Sequence, residues 1–284
     1  MDRIGDLLAA GPTLSAEFFP PKTKEGMQQL EQTLDDFEPL DFSFVSVTYG
    51  AGGTTRDTTR DIVVGINERR PFPAMAHLTC MGHTRQEIDE LLVDYRAHGV
   101  HNILALAGDP PADGSPVQGD FTYASELVDL VSQHDHFSIA VAAFPELHPR
   151  SEGDRALDRR TLAAKLNAAD FGITQFFFDA DDYFRMVDEL ADEGCESPVL
   201  PGIMPLTNTT AIRRFAKVNG SAFPEALAAE VDAAASEDDV LRIAVDAAAE
   251  LSQKLLEGGV PGLHLYSLNR SAATVGVIKA LNLR

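Results

Sequence analysis

Short runs of alternating apolar and polar residues recur along the chain, and longer amphipathic segments separate them. The clearest run, F-S-F-V-S-V-T-Y at 42–49, is typical of a strand, because successive strand side chains point to opposite faces. The segment 24–38 instead spaces its apolar residues as a helix does. Extended along the chain, this pattern predicts eight strands, at 14–19, 42–49, 73–79, 102–107, 137–144, 172–178, 198–204 and 263–268.

Predicted helices separate these strands, and polar residues recur near the strand ends. Thr84 and Glu87 form a T-x-x-E capping box, which predicts a helix start. Successive polar strand ends are spaced by about 30 residues, the length of one strand–helix unit. Eight such units form a (β/α)₈ TIM barrel of about 250 residues. The sequence therefore predicts an α/β fold in which residues 1–284 form a single catalytic barrel domain.

The residues beyond eight units are concentrated at 222–258. Two extra helices are predicted there before the last strand, at 224–235 and 238–256. An open doubly wound sheet is the competing architecture. It is disfavoured because no G-x-G-x-x-G follows an early strand.

Composition and charge narrow the range of partners. The chain of 284 residues carries a net charge of −21, which disfavours nucleic acid and anionic membrane surfaces as partners. No apolar run approaches the roughly 18 residues that a membrane span needs. The first ten residues contain no signal-peptide core, and Cys80 and Cys195 form no C-x-x-C motif. A reduced, cytoplasmic location is expected. A homo-oligomer is compatible with the sequence, which leaves the oligomeric state open.

A barrel brings the carboxyl ends of all its strands to one mouth, so polar residues at those ends should converge. Glu17 is the most informative of them, because a carboxylate beside Phe18 and Phe19 is costly to ionise unless the site uses it. The set contains no Ser-His-acid triad, H-E-x-x-H motif or cysteine cluster, so no metal is predicted. It suits proton donation and the binding of a large polar cofactor better than hydrolysis. Its members are Glu17, Thr48, His77, Asp109, Glu146, His148, Gln175, Asp179, Asn208 and Asn269.

Seven motifs carry a resemblance to a known family. They are E-F-F-P-P-K at 17–22, F-V-S-V-T-Y-G at 44–50, H-L-T-C at 77–80, A-G-D-P-P at 107–111, F-P-E-L-H-P at 144–149, I-T-Q-F-F-F-D at 173–179 and L-N-R at 268–270. In this order, over nearly the whole chain, they resemble the methylenetetrahydrofolate reductase family. The length resembles the bacterial form, which consists of the catalytic barrel alone. The resemblance implies a cytoplasmic FAD-containing barrel of one-carbon metabolism and methionine biosynthesis. It would reduce 5,10-methylenetetrahydrofolate to 5-methyltetrahydrofolate with NAD(P)H, usually NADH in bacteria.

The resemblance also implies roles for individual residues. Glu17 would be the general acid that protonates the folate N10, and Asp109 would orient the folate and tune the flavin. Gln175 would contact folate and the flavin edge, and Arg270 would lie near the substrate. The residues implied in cofactor binding are Thr48, His77 and Tyr123 at the isoalloxazine and ribityl groups, Asp109 at the pyrimidine, and His148 and Lys165 at the diphosphate or adenine end.

Four positions depart from the family pattern. Ala107 replaces an arginine before the Gly-Asp of the fourth strand, and Thr209 replaces a phenylalanine that covers the nicotinamide or pterin. Phe144 replaces a tyrosine, and Ala164 precedes Lys165 where the family has a basic pair. These changes weaken FAD binding or substrate stacking and leave the proton donor in place.

Three alternatives therefore stay open. The same folate could be reduced by direct hydride transfer from NADH without flavin. The chain could also be a catalytically idle barrel that binds folate or a nucleotide. A barrel lyase acting on a phosphorylated sugar is the third reading, but the late strands carry no Gly-rich phosphate loop.

Overall fold

The computed structural model describes residues 2–50, 55–108 and 119–283, in which strands and helices alternate for most of the chain. The strands of this part are Thr13–Phe18 (β1), Phe44–Val47 (β2), Ala74–Thr79 (β3), Asn102–Leu106 (β4), Ser138–Ala143 (β5), Phe171–Thr174 (β6), Val199–Leu200 (β7), Gly202–Ile203 (β8) and Gly262–Tyr266 (β9). The helices are Ile4–Ala10 (α1), Lys24–Phe37 (α2), Arg56–Arg69 (α3), Arg85–Ala97 (α4), Ala124–Ser132 (α5), Arg155–Asn167 (α6), Ala180–Asp192 (α7), Thr209–Asn219 (α8), Glu225–Asp232 (α9), Glu237–Glu257 (α10) and Ser271–Ala280 (α11).

The strands form one parallel sheet that curls into a barrel. Their order is β7-β6-β5-β4-β3-β2-β1-β9-β8. β7 pairs with β6 and β8 pairs with β9, and only Pro201 separates β7 from β8. Proline has no N–H to donate, so it interrupts the strand predicted at 198–204. The two short strands together occupy one position of eight, and the predicted (β/α)₈ fold class is confirmed.

Apolar side chains fill two layers, one inside the barrel and one between the strands and the helices. Phe44, Met75 and Phe171 belong to the inner layer, while Val45 and Val47 face the helices. This alternation follows from the two-residue period of a strand. It also determines which polar residues face the interior.

Helix α1 closes the amino-terminal end of the barrel. Ile4 is fully buried within the inner layer, and its N–H donates to Asn102 Oδ1 at 2.8 Å. The amide nitrogen of Asn102 in turn donates to Asp2 O. With this end plugged, the carboxyl ends of the strands form the open mouth.

Several local predictions are confirmed. Thr84 and Glu87 form both bonds of the capping box before α4, and the two extra helices, α9 and α10, precede β9. The strand predicted at 172–178 ends early, at Thr174; beyond it Phe176 packs in a separate apolar cluster with Met204 and Leu206, and Phe177 stacks on Tyr183 of α7. In the part of the chain that the structure describes, no helix has the length and apolar character of a membrane span.

Candidate active site

Glu17 lies at the carboxyl end of β1, and its side chain faces two histidines across the mouth. Its Oε2 atom is 3.4 Å from Nε2 of His77 on β3 and 3.7 Å from Nε2 of His264 on β9. Both nitrogens are buried and have no hydrogen-bond partner among the described residues. The Glu17 side chain keeps 17% of its surface exposed, so a ligand in the mouth can reach the carboxyl group.

Burial controls the charge of the groups around Glu17. It lowers the pKa of His77 to about 4, although the charge of Glu17 acts in the opposite direction. His77 is therefore neutral near pH 7 and places no positive charge beside Glu17. Burial, and then the charge of Glu17, raise the pKa of Tyr266, whose hydroxyl donates to Thr174 O at 2.7 Å.

The loop after β9 holds the end of β1 in place. Ser267 Oγ donates to Glu17 O at 2.6 Å. Asn269 bonds the backbone of Phe19 twice, accepting from its N–H at 3.0 Å and donating to its carbonyl at 2.8 Å. Asn269, predicted at the mouth from its sequence position, thus acts on the backbone beside Glu17.

Other predicted residues lie around the same mouth. Thr48 follows β2 and is half-buried, and Arg270 is exposed directly before α11. Gln175 follows β6, and its Oε1 accepts from Asn219 Nδ2 at 3.0 Å. This bond leaves the amide nitrogen of Gln175 to donate elsewhere.

Three members of the predicted set have local structural roles. Glu146 accepts from the Ala222 N–H, and burial raises the pKa of its carboxyl group. Asp179 and Asn208 cap the amino ends of α7 and α8 with their side chains. Asp109 belongs to the segment 109–118, which lies outside the described residues.

A groove of about 760 Å³ lies between α5 and α6, beside the ends of β4 and β5. We call it the α5–α6 groove. It brings together three of the residues implied in cofactor binding, Tyr123, His148 and Lys165. Ala107 and Ala164 also line it, so two positions at which the family pattern has basic residues are apolar wall here.

Cationic side chains nevertheless line this groove. Arg150 and Arg160 accompany Lys165, whose ammonium donates to Ala142 O at 2.7 Å. Burial lowers the pKa of Lys165 to about 8, and the nearby Asp158 works against that shift. His148 accepts from the Arg150 N–H at 3.0 Å, which fixes its ring in the wall.

Arg159 holds the backbone of the loop after β5, which forms part of the groove wall. The sequence analysis did not identify this role. It is buried and donates to the carbonyls of Phe144 and Pro145, at the start of the loop that carries His148. It also pairs with Asp158 at 2.8 Å and Glu189 at 2.7 Å. The sequence signal was weak: Arg159 lies on the same buried face of α6 as Leu162 and Leu166.

His264 is the second residue that sequence reasoning missed. A signal existed, because in G-L-H-L-Y the histidine shares its strand face with Tyr266, two residues later. That this face points toward Glu17 depends on the pairing of β9 with β1.

Comparison with known proteins identifies the family of this chain. The sequence profile described as methylenetetrahydrofolate reductase matches residues 3–282. The chain belongs to the methylenetetrahydrofolate reductase family. The family and the enzyme class expected from the sequence are confirmed.

The chain is similar to known methylenetetrahydrofolate reductases over nearly its full length. It is 36% identical to the 5,10-methylenetetrahydrofolate reductase of Escherichia coli over 274 residues, 95% of this chain and 91% of that protein. It is 33% identical to methylenetetrahydrofolate reductase (NADH) 1 of Arabidopsis thaliana over an alignment of 299 residues. That alignment covers all of this chain and 50% of the plant protein.

A solved structure shares the fold of the reductase. It is an uncharacterized protein from Clostridium thermocellum that binds two copies of 5-methyl-5,6,7,8-tetrahydrofolic acid. The TM-score is 0.67 with 13% identity, over 98% of each chain.

Proposed function

We propose that this reductase converts 5,10-methylenetetrahydrofolate to 5-methyltetrahydrofolate with NAD(P)H, and that Glu17 is the general acid at the folate N10. The observation that carries the proposal is the half-buried carboxyl group of Glu17 at the mouth, beside the neutral His77 at 3.4 Å. Similarity over 95% of the chain to 5,10-methylenetetrahydrofolate reductases supports the reaction.

The chemistry requires a proton before a hydride. The bond between N10 and the bridging carbon must break, and an amine leaves readily only when it is protonated. Glu17 donates this proton to N10, and the bridging carbon then remains on N5 as an iminium cation that accepts hydride. General acid catalysis of this kind contributes about 10²–10⁴-fold to the rate.

The residues of the α5–α6 groove fit FAD. A diphosphate needs charge-assisted donors, and Lys165, Arg150 and Arg160 line a groove of about 760 Å³ with apolar walls. Tyr123 and His148 line it as well. Bound FAD would supply hydride transfer from NADH to the folate.

The remaining assignments complete the proposed site. Thr48 and His77, at the mouth, would contact the flavin ring, and Gln175 and Arg270 would contact the folate. Asp109 would bind the pterin amine edge and tune the flavin; this role rests on the sequence motif A-G-D-P-P. Two free, buried cysteines, Cys80 and Cys195, support the proposed cytoplasmic location.

The competing mechanism is direct hydride transfer from NADH without flavin. The replacement of two basic residues of the family pattern by Ala107 and Ala164 in the groove favours it, because each removes a cation that would hold a diphosphate.

The absorbance spectrum and steady-state kinetics of the purified protein decide between the mechanisms. A flavin band and parallel double-reciprocal lines are expected, since one mouth would serve NADH and folate in turn. A colourless protein with intersecting lines, indifferent to added FAD, would establish direct transfer. Folate binding without turnover would instead identify an idle barrel.

A further inference from the structure

Phe19 is a large apolar side chain that lies exposed at the mouth. It directly follows β1 and is 43% exposed, whereas the preceding Phe18 is buried and packs against Phe37 of α2. The other exposed large apolar residues of the described chain lie on helices or line the α5–α6 groove; they are Val93, Tyr123, Leu157, Val187 and Val218. Phe19 is therefore the member of this set that follows a strand end beside Glu17.

The side chains of Glu17 and Phe19 lie on the same side of β1. Strand side chains alternate between two faces, and Phe18, which lies between them, belongs to the apolar layer that faces the helices. The alternation continues past the end of β1, because both residues bond toward the β9 side. The Glu17 carbonyl accepts from the Ser267 N–H at 3.3 Å, and Phe19 bonds the Asn269 side chain through its N–H and its carbonyl. Phe19 is thus the next side chain on the Glu17 face, about 7 Å further toward solvent.

Other phenylalanines beyond the strand ends already have aromatic partners. The Phe144 ring contacts the His148 ring at 4.4 Å between centroids. Phe176 is buried, and its ring lies 5.8 Å from that of Phe178. The ring of Phe19 belongs to none of the apolar clusters of the described residues. Its exposed surface is therefore free to contact a ligand in the mouth.

The proposed substrate carries a flat ring next to the atom that Glu17 protonates. N10 of the folate is bonded directly to a p-aminobenzoyl ring, and this ring carries the glutamate tail. Proton transfer brings the Glu17 carboxyl group to about 3 Å from N10, so the ring begins one bond beyond that contact. The tail carboxylates are costly to bury, so the ring must run from Glu17 outward to solvent. Phe19 is the next side chain of the β1 face along this path.

We propose that Phe19 binds the p-aminobenzoyl ring of the folate and thereby distinguishes folates from NAD(P)H in the shared mouth; this inference rests on the proposed role of Glu17 at N10. Two aromatic rings attract each other when they stack with an offset or meet edge to face, and the contact removes apolar surface from water. The bonds to Asn269 fix the Phe19 backbone before the ligand arrives, which lowers the entropy lost on binding. NAD(P)H carries no p-aminobenzoyl ring, so the contact is specific to folate.

The first test compares the steady-state kinetics of Phe19→Ala and Phe19→Tyr. Alanine replacement of an aromatic side chain that stacks on a flat ring weakens binding by about 5–150-fold, so KM for folate should rise at least about fivefold in Phe19→Ala. kcat and KM for NADH should not change, because Glu17 keeps its proton and NADH makes no contact with Phe19. Phe19→Tyr keeps the ring and should keep the KM of the unmodified enzyme. Only the backbone of Phe19 bonds Asn269, so both variants retain these bonds.

Val93→Ala is the matched control. Val93 is 54% exposed on α4, so this change also truncates an exposed apolar side chain, on a helix surface. Its kinetics should coincide with those of the unmodified enzyme. An unchanged KM for folate in Phe19→Ala, or an equal rise in KM for NADH, would overturn the proposal.

The second test reads the contact without any turnover. Protein that is deuterated except at phenylalanine is mixed with 5-methyltetrahydrofolate, and transferred nuclear Overhauser effects are recorded. The p-aminobenzoyl protons should show an effect from a phenylalanine ring that disappears in Phe19→Leu. Binding without this effect, or with an effect at the pterin protons alone, would refute the inference. A protein that binds no 5-methyltetrahydrofolate and reduces no folate would refute the proposed function instead.

Discussion

The side-chain amide of Asn269 forms two hydrogen bonds with the backbone of Phe19, a residue 250 positions earlier in the chain. Phe19 is two residues beyond Glu17, whose own carbonyl accepts from Ser267 Oγ. The loop after β9 thus holds both sides of the β1 terminus. The position of the proposed proton donor therefore depends on the last strand of the barrel.

Asn269→Ala should lower both stability and folate reduction. It leaves the N–H and carbonyl of Phe19 without their partners, at a cost of about 2 kcal/mol in the free energy of unfolding. We expect folate reduction to fall at least about tenfold, because a displacement of about 1 Å at a catalytic group can cost far more. Urea titration and steady-state kinetics measure the two effects.

Asn282→Ala is the control for backbone conformation. Asn282 has a φ of 51°, close to the 58° of Asn269, but it is exposed. It should lose only the small advantage of asparagine in the left-handed region. Equal destabilisation of the two variants would mean that the bonds to Phe19 contribute nothing.

Glu17→Gln keeps the shape of the side chain and removes the proton. Folate reduction should fall by about 10²–10⁴-fold, while NADH-driven flavin reduction should persist, because that half-reaction involves no N10. Stopped-flow measurement separates the two steps. Glu68→Gln, on the exposed surface of α3, should match the unmodified enzyme in both. Equal slowing of both steps in Glu17→Gln would assign Glu17 to cofactor positioning.

His77 should make the protein less stable in mild acid. Its pKa is about 4 in the fold against 6.5 as the ordinary value, so the unfolded chain binds more protons between these two pH values. The free energy of unfolding should therefore fall as the pH drops through this window, by about 2 kcal/mol between pH 7 and pH 5.

His77→Gln should remove this part of the pH dependence, as measured by urea titrations at the two pH values. His98→Gln, at an exposed position at the end of α4, serves as the control and should retain the dependence of the unmodified protein. A His77→Gln protein with the full original dependence would contradict the assignment of a buried neutral imidazole.

Lys165→Ala should weaken FAD binding by about 10–100-fold, the effect of one charged hydrogen bond. The pKa of Lys165 is lowered to about 8, so its ammonium loses charge as the pH rises through that value. FAD affinity of the unmodified protein should consequently decline above pH 8, and the variant should lack that decline. Flavin fluorescence titration measures both effects.

Lys254→Ala is the matched control for the lysine. Lys254 lies on α10, exposed and paired with Glu250 at 2.9 Å. Its removal should leave FAD affinity unchanged. If both lysine variants weaken FAD equally, general electrostatics rather than the α5–α6 groove would account for the result.

Asn219→Ala should raise KM for folate by several-fold. Asn219 Nδ2 donates a hydrogen bond to the side-chain carbonyl oxygen of Gln175. Without this bond, which contributes about 1 kcal/mol, the side-chain amide of Gln175 is free to rotate. The pH profile should not move, because no titrating group changes. Asn167→Ala, at the exposed end of α6, is the control. An unchanged KM in Asn219→Ala would show that Gln175 needs no such support.

Patterns local in the chain were sufficient for the architecture. The alternation at 42–49 and the capping box at Thr84 identify their elements because strand and helix periods are properties of neighbouring residues. Pro201 was not anticipated by these local patterns, and it splits one predicted strand into β7 and β8. The two halves still close the barrel, because β7 pairs with β6 and β8 pairs with β9.

The sequence by itself determined the fold class, the family and the position of Glu17 at the end of the first strand. Only the tertiary structure decided which side chains lie next to the Glu17 carboxyl group. Of the polar strand-end residues, Asp179 and Asn208 proved to cap helices, whereas His264, which was not among them, faces the carboxyl group at 3.7 Å. The reason is physical: barrel closure pairs β1 with a strand some 250 residues away, and strand register decides which side chains point inward. Neither is encoded in the spacing of nearby residues.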